Sequence, residues 1–482
     1  MVLRPTVVAP APMGGKPVKV RRKPFLFSIR SSKTFLFWTA AIGLFTSTFV
    51  HSILFPLSPF IVHRVMHPED AESYHKASSL SMGTESTSQE TGVLVACYAV
   101  GLLMGSPLFG WLGDKIKQRR LPMLLGILAS MMANFLFMFS TTYWMLLAAR
   151  YLQGIANACV WTMSLCLVAD NWPTSELGFQ MGRLVGFYPL GLVVGLPVGG
   201  VLYSKLGPQA PFVASSIIGG VDFFMRLFVV EPGHCPAEWL STPKDEEEAK
   251  SDHHSDTTVV LDTQGSHQNV TAWQLLKHPR LIVSLLLTVM VAIFMSAFEP
   301  TLTMRFATEW DFDAAECGLI LIAFMVPMVV ASAGFGWLCD RYGCKIVGLA
   351  SLVAIAPMGV VMGLPDHRVS YWLFLPILAT VGVLTAGCQA PVFPEIAKVV
   401  EQANQYRTSE KDGLAKSYAL FNAAYGTGMC LGPILAGFIY GSIGFFWLCC
   451  ILSAMPFICI PLVYLYTGGS RNLIVMQGSA VK

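Results

Sequence analysis

Charged residues are scarce in this sequence. Asp, Glu, Lys and Arg together make up 13% of the 482 residues, whereas hydrophobic residues make up 54%. A soluble chain of this length needs more polar side chains to cover its surface, so the composition excludes a set of soluble domains. The apolar residues form a dozen runs of roughly twenty, the length of an α-helix that crosses a bilayer. The sequence therefore predicts an all-α membrane protein with twelve transmembrane helices.

The chemistry of an enzyme or a metal site is also missing. No nucleophile, base and acid stand at usable spacing, and most of the 12 cysteines lie inside apolar runs, where they behave as small hydrophobic residues. We therefore expect no enzymatic activity, no metal and no cofactor. The first apolar run, near 35–62, is too long for the core of a signal peptide, so we expect it to remain as the first span.

The apolar runs divide into two sets of six. We expect a basic cytoplasmic N terminus at 1–34, a six-helix bundle at 35–231, a charged cytoplasmic linker at 232–277, a second bundle at 278–468 and a cytoplasmic tail at 469–482. Basic residues ahead of the first run and in the even-to-odd connections indicate this orientation, because cytoplasmic loops carry an excess of Lys and Arg. With so much apolar sequence beside it, the basic cluster does not indicate a nucleic-acid partner.

An internal repeat is the most specific signal in the chain. Gly110-Trp111-Leu112-Gly113-Asp114-Lys115 ends the second run, and Gly336-Trp337-Leu338-Cys339-Asp340-Arg341 ends the eighth. Duplication of a six-helix unit explains both, and predicts two pseudo-symmetric bundles. The glycines permit close approach of a neighbouring helix, and the charges can pair across it. We interpret this set as a conformational gate: Gly110, Asp114, Lys115, Arg119, Arg120, Gly336, Asp340 and Arg341.

Stripes of small residues recur every four positions in spans 5 and 11, at Gly191, Gly195 and Gly199 and at Ala424, Gly428, Gly432 and Ala436. Such stripes let helix backbones approach closely, and Pro197 and Pro433 remove a backbone hydrogen bond and permit bending. Static packing explains them equally well. Their presence at corresponding places in both halves favours an interface on which the halves rock, so we add Gly195, Pro197, Gly199, Gly432 and Pro433 to the gate.

Ionisable residues inside apolar runs indicate function, because each costs several kcal/mol unless it faces a cavity or a partner. Glu299 is our leading proton carrier, since a dry site favours the protonated carboxyl group; the alternative is a carboxylate at the outer water interface. His51 is a second candidate for proton or substrate contact, and a packed structural histidine is its alternative. Asp222 is a third, although it can form a structural ion pair with Arg226, four residues later.

Arg150 lies about two turns inside span 4, where Gly154 and Ala158 continue its face and predict room for a substrate or a water molecule. Tyr188, Asn422 and Tyr425 place polar tips on spans 5 and 11 and are further candidates for substrate binding. For the tyrosines, an aromatic belt at the membrane surface is an equally good interpretation. Asp170 and Glu395, near the ends of spans 4 and 10, are interpreted as cytoplasmic gate groups.

These motifs resemble those of the major facilitator superfamily. Gly110 to Arg120 is similar to the loop 2-3 signature of that family, Arg150 to Gly154 to its R-x-x-x-G motif in span 4, and Gly191 to Gly200 to the Gly-Pro motif of span 5. The last motif is typical of the drug:proton antiporter group. The chain most resembles the fungal, vesicular-amine-transporter-like branch of that group. The resemblance implies the major facilitator fold, secondary active transport, and a coupling or substrate-orienting role for Arg150.

The expected function is proton-coupled export of a small organic molecule, such as a secondary metabolite, organic acid or drug, by alternating access. Proton-coupled uptake is the main alternative, and a non-transporting nutrient sensor is a distant one. Ser47 stands where amine carriers of the family have an acidic residue, which favours a neutral or acidic cargo. We expect a monomer in the lipid bilayer of the plasma membrane, with the vacuolar membrane as the alternative.

Overall fold

Twelve helices among the described residues are long and apolar enough to cross a membrane. The computed structural model describes residues 26–66, 85–116, 118–172, 180, 183–184, 186–231, 276–404 and 414–468. The spans are α1 (Lys33–Ser52), α2 (Glu85–Lys115), α3 (Arg120–Met138), α4 (Tyr143–Asn171), α5 (Phe187–Leu206), α6 (Ala210–Phe228), α7 (Pro279–Trp310), α8 (Ala314–Ile320 continued by Ile322–Tyr342), α9 (Cys344–Met362), α10 (Phe374–Gln389 continued by Val392–Asn404), α11 (Leu414–Ile443) and α12 (Phe445–Tyr466).

The sequence predicts one continuous span near 35–62, but in the structure this run is divided into two helices. After α1 ends at Ser52, residues 53–57 form turns, and a short helix, Ser58–Met66, follows. Pro56 explains the break, because proline has no backbone N–H to donate and disfavours helical geometry in the preceding residue. The predicted linker, most of the predicted N terminus and the predicted tail (232–275, 1–25 and 469–482) lie outside the described residues.

Each set of six helices packs as a bundle. In the first bundle α4 contacts α2 and α3, α1 contacts α5, and α3 contacts α6; in the second, α10 contacts α8 and α9, α7 contacts α11, and α9 contacts α12. Large apolar side chains remain exposed on the outer faces, as along α3 at Leu121, Leu125, Leu128 and Met132. Their i, i+4, i+7 spacing forms one stripe on the helix, as expected for a face against lipid.

The predicted rocking interface divides into two parts: the prolines Pro197 and Pro433 lie against glycines of the other bundle, whereas the stripe glycines pack inside their own bundle. A Cβ at Gly195 or Gly199 would overlap α1 of the same bundle, and a Cβ at Gly432 would overlap α7 of the second bundle. Each stripe therefore holds two helices of one bundle in close contact. The static-packing alternative explains these three glycines.

The bundles meet through four other glycines. A Cβ at Gly92 on α2 would overlap the carbonyl oxygen of Pro433 on α11, and one at Gly437 would meet that of Ser88. The same arrangement joins α5 to the start of α8, where Gly200 faces the carbonyl oxygen of Ala314 and Gly318 faces that of Leu196. We call the end of the molecule that contains these two contacts the closed end.

Pseudo-symmetry relates the two contacts. Gly336 follows Gly110 by 226 residues, and the same spacing separates Gly92 from Gly318. Gly432 follows Gly195 by 237 residues, and this spacing separates Gly200 from Gly437. One duplicated pair of glycines therefore builds both contacts between the bundles.

The opposite end of α2 and α8 has no such contact. Among the described residues, a Cβ at Gly110 or Gly336 would meet no atom within 4 Å, and Trp111 and Trp337 beside them are exposed. The close helix approach predicted for these glycines is absent in this conformation. We call this the open end; it is the end that the charge distribution predicts to be cytoplasmic.

Candidate functional site

Arg150 on α4 is a fully buried cation. Its side chain is 0% exposed, and its guanidinium carbon lies 5.5 Å from the ring centroid of Tyr98 on α2 and 5.9 Å from that of Phe137 on α3. Its Nη1 atom is 3.5 Å from Oε1 of Gln153, one turn along α4. Its Nε and Nη2 atoms have no hydrogen-bond partner in the described part of the chain. A buried guanidinium that lacks hydrogen-bond partners favours binding of a ligand that accepts those hydrogen bonds.

The room predicted beside Arg150 is occupied by α2. A Cβ at Gly154 would overlap the carbonyl oxygen of Tyr98, and the Cβ of Ala158 lies against Gly105. Gly154 therefore brings the backbones of α2 and α4 together and leaves no space for a ligand at Gly154 and Ala158 themselves. This contact also positions the ring of Tyr98 beside Arg150.

His51 lies on the same aromatic ring as Arg150. Its imidazole stacks on Tyr98 with a centroid distance of 4.0 Å and an interplanar angle of 14°, and Phe55 meets it edge-on at 4.9 Å. The Nδ1 atom of His51 is buried and has no hydrogen-bond partner among the described residues. His51, Tyr98 and Arg150 thus form one cluster built from α1, α2 and α4.

Glu299 faces this cluster from the second bundle. It is buried and lies inside α7, which continues through Pro300, and this position favours the interior over a carboxylate at the water interface. Glu299 is buried and within electrostatic range of Arg150 and Tyr98, yet it makes no direct ion pair with Arg150. Its Oε1 atom has no hydrogen-bond partner in the described chain. We name His51, Tyr98, Arg150, Gln153 and Glu299 the central site.

Both predicted tyrosines lie beside the central site, one in each bundle. The side chains of Tyr188 on α5 and Tyr425 on α11 lie close enough to interact electrostatically, and Trp161 on α4 meets Tyr188 edge-on at 5.5 Å. These contacts favour a place in the interior over the aromatic-belt alternative. Asn422, one turn from Tyr425, is exposed and makes no contact with the central site among those described.

Asp222 lies apart from the central site. Its Oδ1 atom accepts a hydrogen bond of 2.8 Å from Nε of Arg226, and both side chains are 0% exposed. Arg226 extends to Ser164 on α4, at 3.4 Å, and fills the space over Gly43 on α1. An ion pair that joins three helices of one bundle supports the structural interpretation of Asp222 over proton coupling.

The gate residues of the first repeat are bound to their own bundle. Arg119 donates from Nε to Asp170 on α4 at 2.8 Å. The backbone N–H groups of Arg119 and Arg120 donate to the carboxylate of Glu231, which follows α6. Because Glu231 binds the first N–H groups of α3, it caps that helix and holds the loop between α2 and α3 against α6.

The second half has a related arrangement. Arg280 at the start of α7 donates to Glu395 on α10 at 2.6 Å, and the N–H of Gly468 after α12 also faces that carboxylate. Asp340 is exposed, and exposed Arg341 lies over the ring of Trp337 at 5.2 Å. The side chains of Asp114 and Lys115 lie outside the described residues.

Sequence reasoning missed Tyr98, Gln153 and Asn157. Gln153 and Asn157 follow Arg150 by three and seven positions, which is one face of a helix, and the amide of Asn157 donates to the hydroxyl group of Tyr98. That spacing was a usable signal for the two amides. Tyr98 carries no such signal, because only the packing of α2 against α1 and α4 brings it between His51 and Arg150.

A membrane protein of two pseudo-symmetric six-helix bundles, with ionisable groups between them, has the architecture of a secondary transporter. The sequence profile of the Major Facilitator Superfamily matches residues 40–405 and, in an overlapping match, 285–473. This chain belongs to the Major Facilitator Superfamily. Its members are transporters, which confirms the predicted absence of enzymatic function.

Individual relatives confirm the predicted branch. The chain is 28% identical over 440 residues to the uncharacterized MFS-type transporter C18.02 of Schizosaccharomyces pombe. This alignment covers 89% of this chain and 94% of the relative. It is 26% identical to the MFS-type transporter ppzB of Metarhizium rileyi, covering 92% and 96%. It is 26% identical to the human chromaffin granule amine transporter, covering 82% and 69%.

Solved structures confirm the fold. The crystal structure of the nucleoside transporter NupG matches with a TM-score of 0.58 and 14% identity, over 89% of this chain and 98% of that one. The D-xylose-proton symporter matches with a TM-score of 0.64 and 12% identity, over 90% and 98%. At these identities the likeness shows the architecture of twelve helices in two bundles and carries no information about the cargo.

Proposed function

We propose that this protein is a proton-coupled exporter of a small organic molecule that works by alternating access. The observation that carries the proposal is the central site. Arg150 and Glu299 come from different bundles, both are buried, and both keep polar atoms without a partner among the described residues. Buried ionisable groups with unpartnered polar atoms favour binding of a ligand or a proton. Because Arg150 and Glu299 come from different bundles, such binding changes the contacts of both bundles.

The coupling step follows from the chemistry of Glu299. In its ionised form the carboxylate accepts a hydrogen bond from an N–H or O–H group of the cargo. Protonation removes the charge and converts one oxygen to a donor, so that contact is weakened. A proton and the cargo then compete for the same carboxyl group, which is the requirement for antiport. The likeness of span 5 to the antiporter motif supports this mode.

The conformational cycle follows from the two ends of the molecule. The glycine contacts Gly92–Gly437 and Gly200–Gly318 close one end, while the opposite end around Gly110 and Gly336 is open. Rocking of the bundles opens the glycine contacts and brings Gly110 and Gly336 against their neighbours. Proton-coupled uptake uses the same parts, and differs only in that the proton and the cargo bind together.

Reconstituted vesicles with an imposed pH gradient test the proposal. The probe is radiolabelled phenylalanine, compared with 3-phenylpropanoate and phenylalaninamide, with protein-free vesicles as the correction for leakage. Antiport drives the cargo into the acidic compartment, and symport drives it into the alkaline one. We expect antiport in the native protein, loss of gradient dependence in Glu299→Gln, and full dependence in the control Glu309→Gln near the end of α7. Gradient-driven transport that persists in Glu299→Gln contradicts the assignment.

A further inference from the structure

We infer that Arg150 and Gln153 form a carboxylate-binding subsite, so that the transported molecule carries a carboxylate group on a flat apolar body. The inference rests on the proposed function, because it names the chemistry of the cargo in the same central site. The span 4 motif implies a substrate-orienting role for Arg150, and the subsite specifies the chemical group that Arg150 binds.

The free edge of the Arg150 guanidinium carries the argument. Nη1 is directed to Gln153, which leaves Nε and Nη2 without partners in the part of the chain that the structure describes. These two atoms form the edge of the guanidinium that presents two parallel N–H groups. That edge matches the two oxygens of a carboxylate, the geometry of the strongest Arg pairs in proteins.

Gln153 adds a third donor on the same face of α4. Its Oε1 accepts from Arg150, and its Nε2 is buried and has no partner among the described side chains. Three vacant N–H donors therefore lie within one helical turn, and Gln153 is 3% exposed. A group that only accepts hydrogen bonds satisfies all three. An ionised carboxylate is such a group, because both of its oxygens accept. An ammonium offers only donors, and a primary amide offers one acceptor oxygen beside a donor NH2 group.

No acceptor group among the described residues fills this position. Glu299 makes no direct ion pair with Arg150, Asp222 is bound to Arg226, and the hydroxyl group of Tyr98 accepts from Asn157. The cost of a buried guanidinium with an empty edge is offset when a ligand brings the missing acceptor.

The surroundings of the subsite define the rest of the cargo. Arg150 lies over the rings of Tyr98 and Phe137, and His51 stacks on Tyr98. Aromatic side chains surround the guanidinium, so a flat apolar body on the cargo matches the chemistry beside the carboxylate. An N–H or O–H group on that body then reaches Glu299, as proposed above. A carboxylate with a separate donor group satisfies both bundles at once.

Binding measurements on the full chain in lipid nanodiscs test the subsite. The probes are matched pairs of aromatic carboxylates and their carboxamides, built on phenyl, naphthyl and indolyl bodies and each carrying one amino group. We expect each carboxylate to stabilise the protein against heat more than its amide. In Arg150→Gln we expect carboxylate binding to weaken about ten- to a hundred-fold, because a charged hydrogen-bonded pair is lost. Arg305→Gln, which removes a cation bound to Glu309, is the matched control and keeps the preference.

Equal stabilisation by carboxylates and amides, or no stabilisation by any pair, overturns the inference. If Arg150→Gln fails to fold, Gln153→Met removes one donor without a change in charge, and we expect a smaller weakening of carboxylate binding alone. The proposed function fails separately: it falls if pH-gradient-driven transport is absent for every probe. Gradient-driven transport without a preference for carboxylates leaves the proposed function standing and removes only the subsite.

Discussion

At the scale of single residues, one aromatic ring organises the first-bundle part of the central site. Tyr98 supports His51 by stacking, lies beside the Arg150 guanidinium, and is held in place by the Asn157 amide. Its ring and its hydroxyl group therefore have separable roles. The ring carries the contacts with the two ionisable side chains, and the hydroxyl group fixes the orientation of the ring.

Substitution at Tyr98 separates these roles. Tyr98→Phe keeps the ring and loses one hydrogen bond, so we expect a loss in stability of about 1 kcal/mol and transport within a few-fold of the native rate. Tyr98→Leu removes the stacked surface, and we expect transport to fall at least about ten-fold while the protein remains folded. Initial transport rates and thermal unfolding midpoints provide the comparison. Equal rates for the two variants contradict the role of the ring.

The Asp222–Arg226 pair gives a second prediction at this scale. Asp222→Asn leaves a buried cation without its counter-charge, so we expect destabilisation of about 3–5 kcal/mol. The double change Asp222→Asn with Arg226→Met removes the cation as well and is expected to recover much of that stability. Folded protein of the double variant should keep its dependence on the pH gradient. A stable Asp222→Asn protein without that dependence indicates proton coupling instead.

At the scale of helices, the glycine stripes decide which neighbours approach closely. In α5 the stripe fits against the backbone of α1, and in α11 it fits against α7. The sequence shows where the stripes are, because the spacing of four is local. It does not show which helix faces them, since every neighbouring helix in the fold is equally apolar. The close approach is therefore a tertiary property.

Substitution in a stripe is expected to affect stability and leave the conformational preference unchanged. A Cβ at Gly199 would overlap the carbonyl oxygen of Ile53, so Gly199→Ala forces α1 and α5 apart. We expect a loss of about 1–3 kcal/mol, typical of overpacking. Gly220→Ala on α6 is the control, because a Cβ there meets no atom within 4 Å among the described residues. The unfolding midpoints of the two variants in detergent provide the test, and equal midpoints refute the packing role.

At the scale of the whole molecule, two symmetry-related glycine contacts hold the closed end. Both use a glycine of one bundle against a carbonyl oxygen of the other, and the repeat spacing relates them. Duplication of the six-helix unit thus produced two symmetry-related contacts at the closed end. Because the bundles meet there through backbone atoms, a small increase in side-chain size at these glycines separates the bundles at the closed end.

Enlargement of Gly92 or Gly318 is expected to open the closed end. Either glycine replaced by Val separates the bundles where they touch, and the population shifts towards the opposite conformation by about ten-fold for each 1.4 kcal/mol of strain. Labels at Leu206 and Ile443, exposed near the ends of α5 and α11, report the distance between the bundles. We expect a longer mean distance in both variants and no change in Gly199→Ala. A native distance distribution in Gly92→Val and Gly318→Val refutes this role.

The sequence by itself determined that the protein lies in a lipid bilayer, that it has twelve spans in two related halves, and which ionisable residues are candidates for the site. These are local properties. A membrane-spanning helix is recognised by its length and composition, and an ionisable residue inside an apolar run is recognised from its neighbours in the sequence. Only the tertiary structure decided which residues work together. It placed Tyr98 between His51 and Arg150, brought Glu299 to them from the second bundle, directed the stripes into each bundle, and left the edge of Arg150 vacant. Those outcomes depend on how helices of similar apolarity pack against one another, which no local pattern encodes.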